Sequence, residues 1–449
     1  MIYPYGDHVL VLLADGSLYQ WNDTNKTIIP ELVMDSVDCI RVSNHGVRKV
    51  FVILTIDGRF FVRADLTRAL ENITALVNNN LKTCAHTSSH TSIVPEIYMY
   101  EDRVVIRTEI SLCLARLRGT YSTCYPSMRA ISGGFKHRIN LVSFGYRHGF
   151  MRTDDNRLYK FGSEGSNREF RSLTHQDPYE KPILFSSDIV PEHIHEIVCG
   201  PHYTLFLMID GTVNAHKLDN MSSCYRYHER IVQLQFSDRT YSRLTSFPQG
   251  PAESMPIAKI IAKDYHIFYI TIEGLCYYSY TNTRELGRYP EIPYGPYSPV
   301  ILKALADYYV ENAYTYPTCE RGGIVIQYDE GKLCLLNTYT RGPLRSEYAD
   351  RSLRPKAIDV PGNELIVSVT HACNRIPSSL CPDSRYHPFF DRCAPSSLLT
   401  LITTDQGHVY QKVFNQGSSL EKVQFFDDSP VLVEGHVYAI PSARSCLDD

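Results

Sequence analysis

One pattern recurs along the whole chain: an apolar run of about six residues, an acidic residue followed by Gly, then a second run carrying aromatics. It is read at His8–Trp21 around Asp15-Gly16, at Val50–Phe61 around Asp57-Gly58, and at His148–Phe161 around Asp155-Asn156. It returns at His202–Val213 around Asp210-Gly211, His266–Tyr277 around Glu273-Gly274, Gly323–Cys334 around Glu330-Gly331, and Leu399–Tyr410 around Gln406-Gly407. An eighth copy, Arg103–Cys113, keeps both runs but has Ile110 where the others carry Gly or Asn. Each copy predicts a β-hairpin, because Gly or Asn supplies the positive φ of a tight turn while Val, Ile, Leu, Phe and Tyr fill the strands.

The eight turn positions, from Gly16 to Gly407, lie on average about 56 residues apart, too far for a chain of lone hairpins. A unit of that length holds four short strands, and its near-continuous apolar runs require cover on both faces, as the strands of a propeller blade do. The strand chemistry disfavours a helical solenoid. The expected fold is all-β: one β-propeller of four-stranded blades over residues 1–449, with seven blades, or eight if the Ile110 copy counts. The terminal segments, with the strand-like Val431–Ile440, are expected to pair and close the ring, removing the open sheet edge.

Two copies extend into a longer pattern: Val142, Gly145, His148, Asn156, Leu158, Tyr159, Phe161 and Gly162, and Ile197, Gly200, His202, Asp210 and Gly211. A third runs from Ile260 through His266 to Gly287. This pattern resembles the repeats of the regulator-of-chromosome-condensation family. The resemblance implies a seven-bladed propeller in which the repeat His and Gly are structural, so that His8, His148, His202 and His266 pack hairpins. It also implies, as an alternative function, guanine-nucleotide exchange on a Ran-like small GTPase.

Four segments are longer than the repeat needs, near 65–97, 163–192, 216–256 and 371–397, and loops fixed on rigid blades are where such a fold carries its specific contacts. The first includes a helix-like stretch, Leu66–Thr74. The last holds His371, Cys373, Cys381, His387 and Cys393, ligand types that suit zinc but at no knuckle spacing; Cys84, His86 and His90 are a thinner set of the same kind. No metal, cofactor or catalytic residue is assigned. The chain has no phosphate-binding loop, nucleophile elbow, kinase set or His-Glu-x-x-His motif, and Asp154 and Asp155 read as turn formers. Tyrosine is abundant, 32 residues against one Trp, and the segment Tyr277–Tyr280 with Tyr289, Tyr294 and Tyr297 serves either as an exposed contact face or as packing between blades.

A formal charge of −4 with no run of Lys or Arg leaves no cationic field for a phosphate backbone, so nucleic acid is not an expected direct partner. No stretch reaches the roughly 18 apolar residues that span a bilayer. The 13 cysteines form no Cys-x-x-Cys pair, and residues 1–5 lack a basic flank leading into an apolar segment. The expectation is a non-enzymatic scaffold that binds other proteins, in a larger assembly, in the cytoplasm, with the nucleus as the alternative.

Overall fold

A computed structural model of the chain describes residues 2–5, 8–13, 15–22, 31–43, 50–63, 69–84, 96–100, 103–107, 112–120, 123–132, 137–145, 148–162, 182–185, 188–200, 203–217, 231–234, 236, 256–263, 266–280, 299–302, 305–314, 324–336, 356–358, 364, 366–373, 398–406, 408–414 and 421–423. These residues are almost wholly β. They form eight four-stranded sheets, each with its strands in chain order and every pairing antiparallel.

The first sheet is Ile2–Tyr5, His8–Leu12, Leu18–Asn22 and Glu31–Met34; the second is Val37–Ser43, Val50–Thr55, Phe60–Arg63 and Glu71–Asn72. The third is Glu96–Tyr100, Arg103–Arg107, Leu112–Thr120 and Thr123–Ser132; the fourth is Ile139–Phe144, His148–Thr153, Leu158–Gly162 and Ile183–Leu184. The fifth is Ile194–Cys199, Tyr203–Met208, Val213–Lys217 and Ile231–Gln233; the sixth is Ile257–Lys263, His266–Thr271, Cys276–Tyr280 and Val300–Ile301. The seventh is Val310–Tyr314, Ile324–Tyr328, Lys332–Leu336 and Lys356–Ile358; the eighth is Ile366–Cys373, Leu398–Thr404, Val409–Phe414 and Glu421–Val423.

The eight sheets among the described residues match the count that includes the Ile110 copy. The copy at Arg103–Cys113 builds the third sheet without a turn glycine, because its strands Arg103–Arg107 and Leu112–Thr120 pair in register on strand chemistry alone. The helix also moves: it spans Thr74–Cys84, not Leu66–Thr74, since Glu71 and Asn72 are held as a strand against Val62 and Phe61. The long segments are likewise not loops throughout, for Glu71–Asn72, Ile183–Leu184 and Ile231–Gln233 within them are the fourth strands of their sheets.

The turn chemistry follows the sequence with one refinement. Gly16, Gly58, Gly211, Gly274, Gly331 and Asn156 all have positive φ. Asp15, Asp57, Asp155, Asp210 and Glu273 do not share it; in the turn at Asp210 the carboxylate instead accepts from Thr212 N at 2.9 Å and Thr212 Oγ1 at 2.7 Å. In these turns the residue after the acid takes the left-handed backbone, whereas in the seventh sheet Asp329 and Glu330 share it with Gly331.

Two compact units group these sheets. One comprises Met1–Asn72 with Asp307–Asp449, hence the first, second, seventh and eighth sheets; the other is Ile73–Ala306, the third to sixth. Within the first unit, strand Ile2–Tyr5 lies against strand Ile366–Cys373, so the first and last sheets meet. The cores lie between successive sheets, as the doubly covered second strands require. Phe150 of the fourth sheet meets Phe206 of the fifth edge-on at 5.3 Å between centroids, and Tyr203, Leu205 and Leu207 of the fifth pack with Ile260, Ile267 and Tyr269 of the sixth.

Candidate interaction face

A repeated irregularity sets the geometry of one edge of the sheets. In six of the eight, the first strand carries a bulge immediately after its first residue, at Asp38, Asn140, His195, Ala258, Glu311 and Val367. The turn between the second and third strands is then tied to the residue preceding that bulged strand. Ile56 N donates to Ser36 O at 2.9 Å, Asp154 N to Arg138 O at 2.9 Å, Ile209 N to His193 O at 2.8 Å, Ile272 N to Pro256 O at 3.1 Å and Asp329 N to Tyr309 O at 2.9 Å. Five of the sheets therefore present a braced turn residue beside a bulge residue.

The braced position is occupied by isoleucine in three sheets. Ile56, Ile209 and Ile272 lie one residue beyond the ends of their strands and are exposed by 69%, 69% and 49%, whereas the strand residues before them are buried. In sequence these isoleucines read as the last residues of the apolar runs. The signal that separates them was present: each directly precedes the acidic residue of the turn, where a hairpin reverses and its side chains point outward.

Polar links join neighbouring sheets within each unit. Between first and second sheets Gly16 O accepts from Val37 N at 2.8 Å, and between fifth and sixth Gly211 O accepts from Ile257 N at 2.9 Å. Elsewhere the link is a side-chain donor to the first strand's carbonyl: Arg107 donates to Ile139 O, Arg152 Nη1 to Ile194 O at 2.6 Å and to Pro191 O at 3.1 Å, and Gln327 Nε2 to Ile366 O at 3.3 Å. Arg107, Arg152 and Gln327 occupy one register, opposite Leu112, Leu158 and Leu333. Their acceptor is always the first carbonyl of the next sheet, where the bulge disrupts the ladder.

His148 behaves as the repeat His was expected to. It is buried, and its Nε2 lies 2.9 Å from Thr204 Oγ1 and 3.2 Å from Tyr203 O of the next sheet. Thr204 in turn lies 3.5 Å from Cys199 Sγ, and Cys199 N donates to Ser143 Oγ at 2.9 Å. Cysteine, histidine, serine and threonine thus meet in one seam, yet burial pushes the Cys199 thiol up to about 11, against the pull of Thr204 and Ser143. At neutral pH it stays a thiol, the opposite of an activated nucleophile. His266 Nδ1 lies 2.9 Å from Tyr278 Oη within its own sheet. His202 lies outside the described residues, as does the side chain of His8.

Glu364 makes the densest carboxylate site. It accepts from Thr404 Oγ1 at 2.7 Å, His408 Nδ1 at 2.8 Å and Tyr410 Oη at 3.1 Å. Burial alone would raise its pKa, but these three donors outweigh burial and hold it below the usual carboxylate value. The same turn elsewhere keeps its acid inside: Thr153 Oγ1 donates to Asp155 Oδ1 at 2.5 Å, and Arg157 Nε lies 3.0 Å from Asp155 Oδ2. In the eighth sheet Gln406 replaces that acid, and Glu364 reaches in from the preceding segment. The site is a turn clamp built from a relocated carboxylate.

Asp154, Asp155 and His137 come together on the fourth sheet's edge, a trio of cation-ligand types. His137 faces a different carboxylate with each ring nitrogen, Nδ1 3.3 Å from Asp154 Oδ1 and Nε2 3.5 Å from Asp155 Oδ2. Arg157 already supplies the positive charge at Asp155, so the trio is an exposed ion-pair network and not a cage. Of the Cys and His sets noted in sequence, His371 and Cys373 have their backbone in strand Ile366–Cys373 and Cys84 ends the helix; Cys381, His387, Cys393, His86 and His90 lie outside the described residues. Tyr277 and Tyr278 are buried between strands, exposed by 5% and 2%, which settles that part of the aromatic segment as packing; Tyr289, Tyr294 and Tyr297 lie outside the described residues. No helix among the described residues is long and apolar enough to cross a membrane.

No protein-family model matches the chain, and no curated protein matches it. Among solved structures it is similar to human WBSCR16, with 10% identity and a TM-score of 0.42 over 77% of this chain and 87% of that one. Yeast RCC1, in its complex with Kap60, is similar at 14% identity and 0.38 over 69% and 76%, and YCF48 from Cyanidioschyzon merolae at 11% and 0.38 over 77% and 88%. Likenesses this distant assign neither family nor function.

Proposed function

We propose that the chain is a non-enzymatic β-propeller scaffold: its eight sheets are the blades of one ring, closed where the first and last sheets meet, and it binds other proteins in the cytoplasm. The observation that carries this reading is the braced turn edge. Its backbone is fixed by hydrogen bonds to the following or same sheet, yet it leaves Ile56, Ile209 and Ile272 in water, rigidly placed apolar side chains of the kind protein contacts use. The polar clusters described above hold turns and seams together, and the one thiol among them is held in its protonated form.

The test is cross-linking of the full chain in extract of its native cell, followed by identification of the cross-linked proteins and a nucleotide-release assay on any small GTPase among them. Reproducible cross-links to the same proteins without faster nucleotide release support a scaffold. Release of GDP accelerated by the chain would replace the scaffold by an exchange factor, and the lack of any reproducible protein cross-link would remove it.

A further inference from the structure

The fifth and sixth sheets carry two of the three turn isoleucines on adjacent, mutually fixed turns. Ile209 N is bonded to His193 O, and His193 N to Val190 O at 3.1 Å; Gly211 O accepts from Ile257 N, and Ile272 N is bonded to Pro256 O. The two turns thus share Pro256–Ile257 as a common brace. Three apolar side chains stand out from this braced stretch, Val190 at 43%, Ile209 at 69% and Ile272 at 49% exposure. The backbone does not demand them, because this turn position accepts most residue types and the equivalent residues of the fourth and seventh sheets are Asp154 and Asp329.

Carboxylates dominate the charged groups around them, with His193 4.0 Å from Glu192 and the Arg152 guanidinium turned into the seam onto Pro191 O and Ile194 O. Glu192, Asp210 and Glu273 are exposed beside the three apolar residues, and the segments 188–195, 209–212, 256–257 and 272–275 hold no Lys or Arg. The turn of the second sheet differs, since Ile56 there stands beside Asp57 already paired with Arg59 at 2.7 Å. An apolar centre with the exposed carboxylates of Asp210 and Glu273 beside it complements a segment whose apolar side chains are flanked by Lys or Arg. It does not complement itself: two copies meeting on this face would bring the acids together.

We infer that the turn edge of the fifth and sixth sheets, centred on Ile209 and Ile272 and rimmed by Glu192, Asp210 and Glu273, is a docking site for a basic amphipathic segment of a partner protein. This rests on the scaffold reading and specifies its surface. The site would seat apolar side chains over Val190, Ile209 and Ile272 while lysines or arginines reach the rim.

The experiment measures fluorescence anisotropy of a labelled amphipathic peptide of leucine and lysine at helical spacing, titrated with the full chain, and of its leucine and glutamate counterpart. Binding of the lysine peptide that weakens steeply with added salt, and a loss of about tenfold on Ile209→Ser with Ile272→Ser, are expected. Asp210→Asn, which keeps an oxygen for Thr212, combined with Glu273→Gln should cost a similar factor, while Ile56→Ser leaves affinity unchanged. Equal affinity for both peptides, or no change in either double variant, would overturn the assignment. So would self-association of the chain, followed by sedimentation, that disappears in Ile209→Ser. Partner cross-links in extract that map to another surface would overturn this site while leaving the scaffold reading intact; no protein cross-links at all would remove both.

Discussion

The seam between the fourth and fifth sheets and the seam between the fifth and sixth are tied at opposite backbone groups of the same position, a carbonyl in one and an N–H in the other. Each must satisfy a backbone group where the bulged first strand begins. At Ile194 the second strand of the preceding sheet offers Arg152, whose guanidinium reaches across to the carbonyl. At Ile257 the corresponding residue is Leu207, which is buried in the core, and the turn itself closes in so that Gly211 O meets Ile257 N. The first seam is tied through side chains, Arg152 together with His148 and Ser143. The second is held backbone to backbone and makes its glycine indispensable, which explains why positions with opposite chemistry occupy the same register.

The largest effect should fall on the backbone seam. A Cβ at Gly211 would stand 2.7 Å from Pro256 Cα and 2.9 Å from Ile257 N, on a backbone with φ +78°. Gly211→Val is expected to cost about 3 kcal/mol or more in denaturant unfolding. Gly58→Ala, at nearly the same φ but with nothing within 4 Å, should cost only about 1 kcal/mol, the left-handed backbone alone. Equal costs would show that the seam contributes nothing.

In the side-chain seam, Arg152→Met removes the side-chain donor to Ile194 O, while Pro191 O keeps the Ile194 N–H, and is expected to cost about 2 kcal/mol by the same measurement. A neutral result would mean that the fourth and fifth sheets are held by their aromatic core and the His148–Thr204 and Cys199–Ser143 links without Arg152.

The third expectation concerns pH. Burial pushes the Glu196 carboxyl up to about 7, with Lys259 of the sixth sheet pulling it down. A carboxyl raised in the folded state binds its proton more tightly there, so stability is highest below the ordinary value and falls as pH rises from 4.5 through about 7. Glu196→Gln should remove that fall and be more stable than the wild type above pH 7, by on the order of 2 kcal/mol. The opposite shift would mean that Lys259 dominates.

The smallest effects separate the two turn clamps. Glu364→Gln is expected to cost about 1 kcal/mol at neutral pH, and because its carboxyl is held below the usual range this difference should vanish as pH falls through the folded value. Asp155→Asn, on a more open turn with its Arg157 partner in water, should cost less.

Much of this architecture was legible in the chain. The hairpins were readable because Gly and Asn mark positive φ one residue after an acid, and the buried second strands because both faces are apolar. The third sheet was the least legible because its turn lacks that mark, although Val104, Val105 and Ile106 carry the strand. The helix was misplaced because Leu66–Thr74 has helical spacing, whereas Glu71 and Asn72 are held by pairing with the second sheet, a non-local constraint. The seam donors were invisible in single repeats, since Arg107, Arg152 and Gln327 share only a register. Glu364 was hidden for the same reason: it replaces a turn acid missing at Gln406 from a position 42 residues earlier. The turn isoleucines were read as strand, and only their place beyond the strand ends exposes them.

Hydrogen exchange on the full chain, alone and with a cross-linked partner or the lysine peptide bound, tests the central claim that the turn edge is the working surface. The account expects slowed exchange at 190–195, 209–212 and 272–275 with the seams around Arg152 unchanged. Slowing confined to other segments would contradict it.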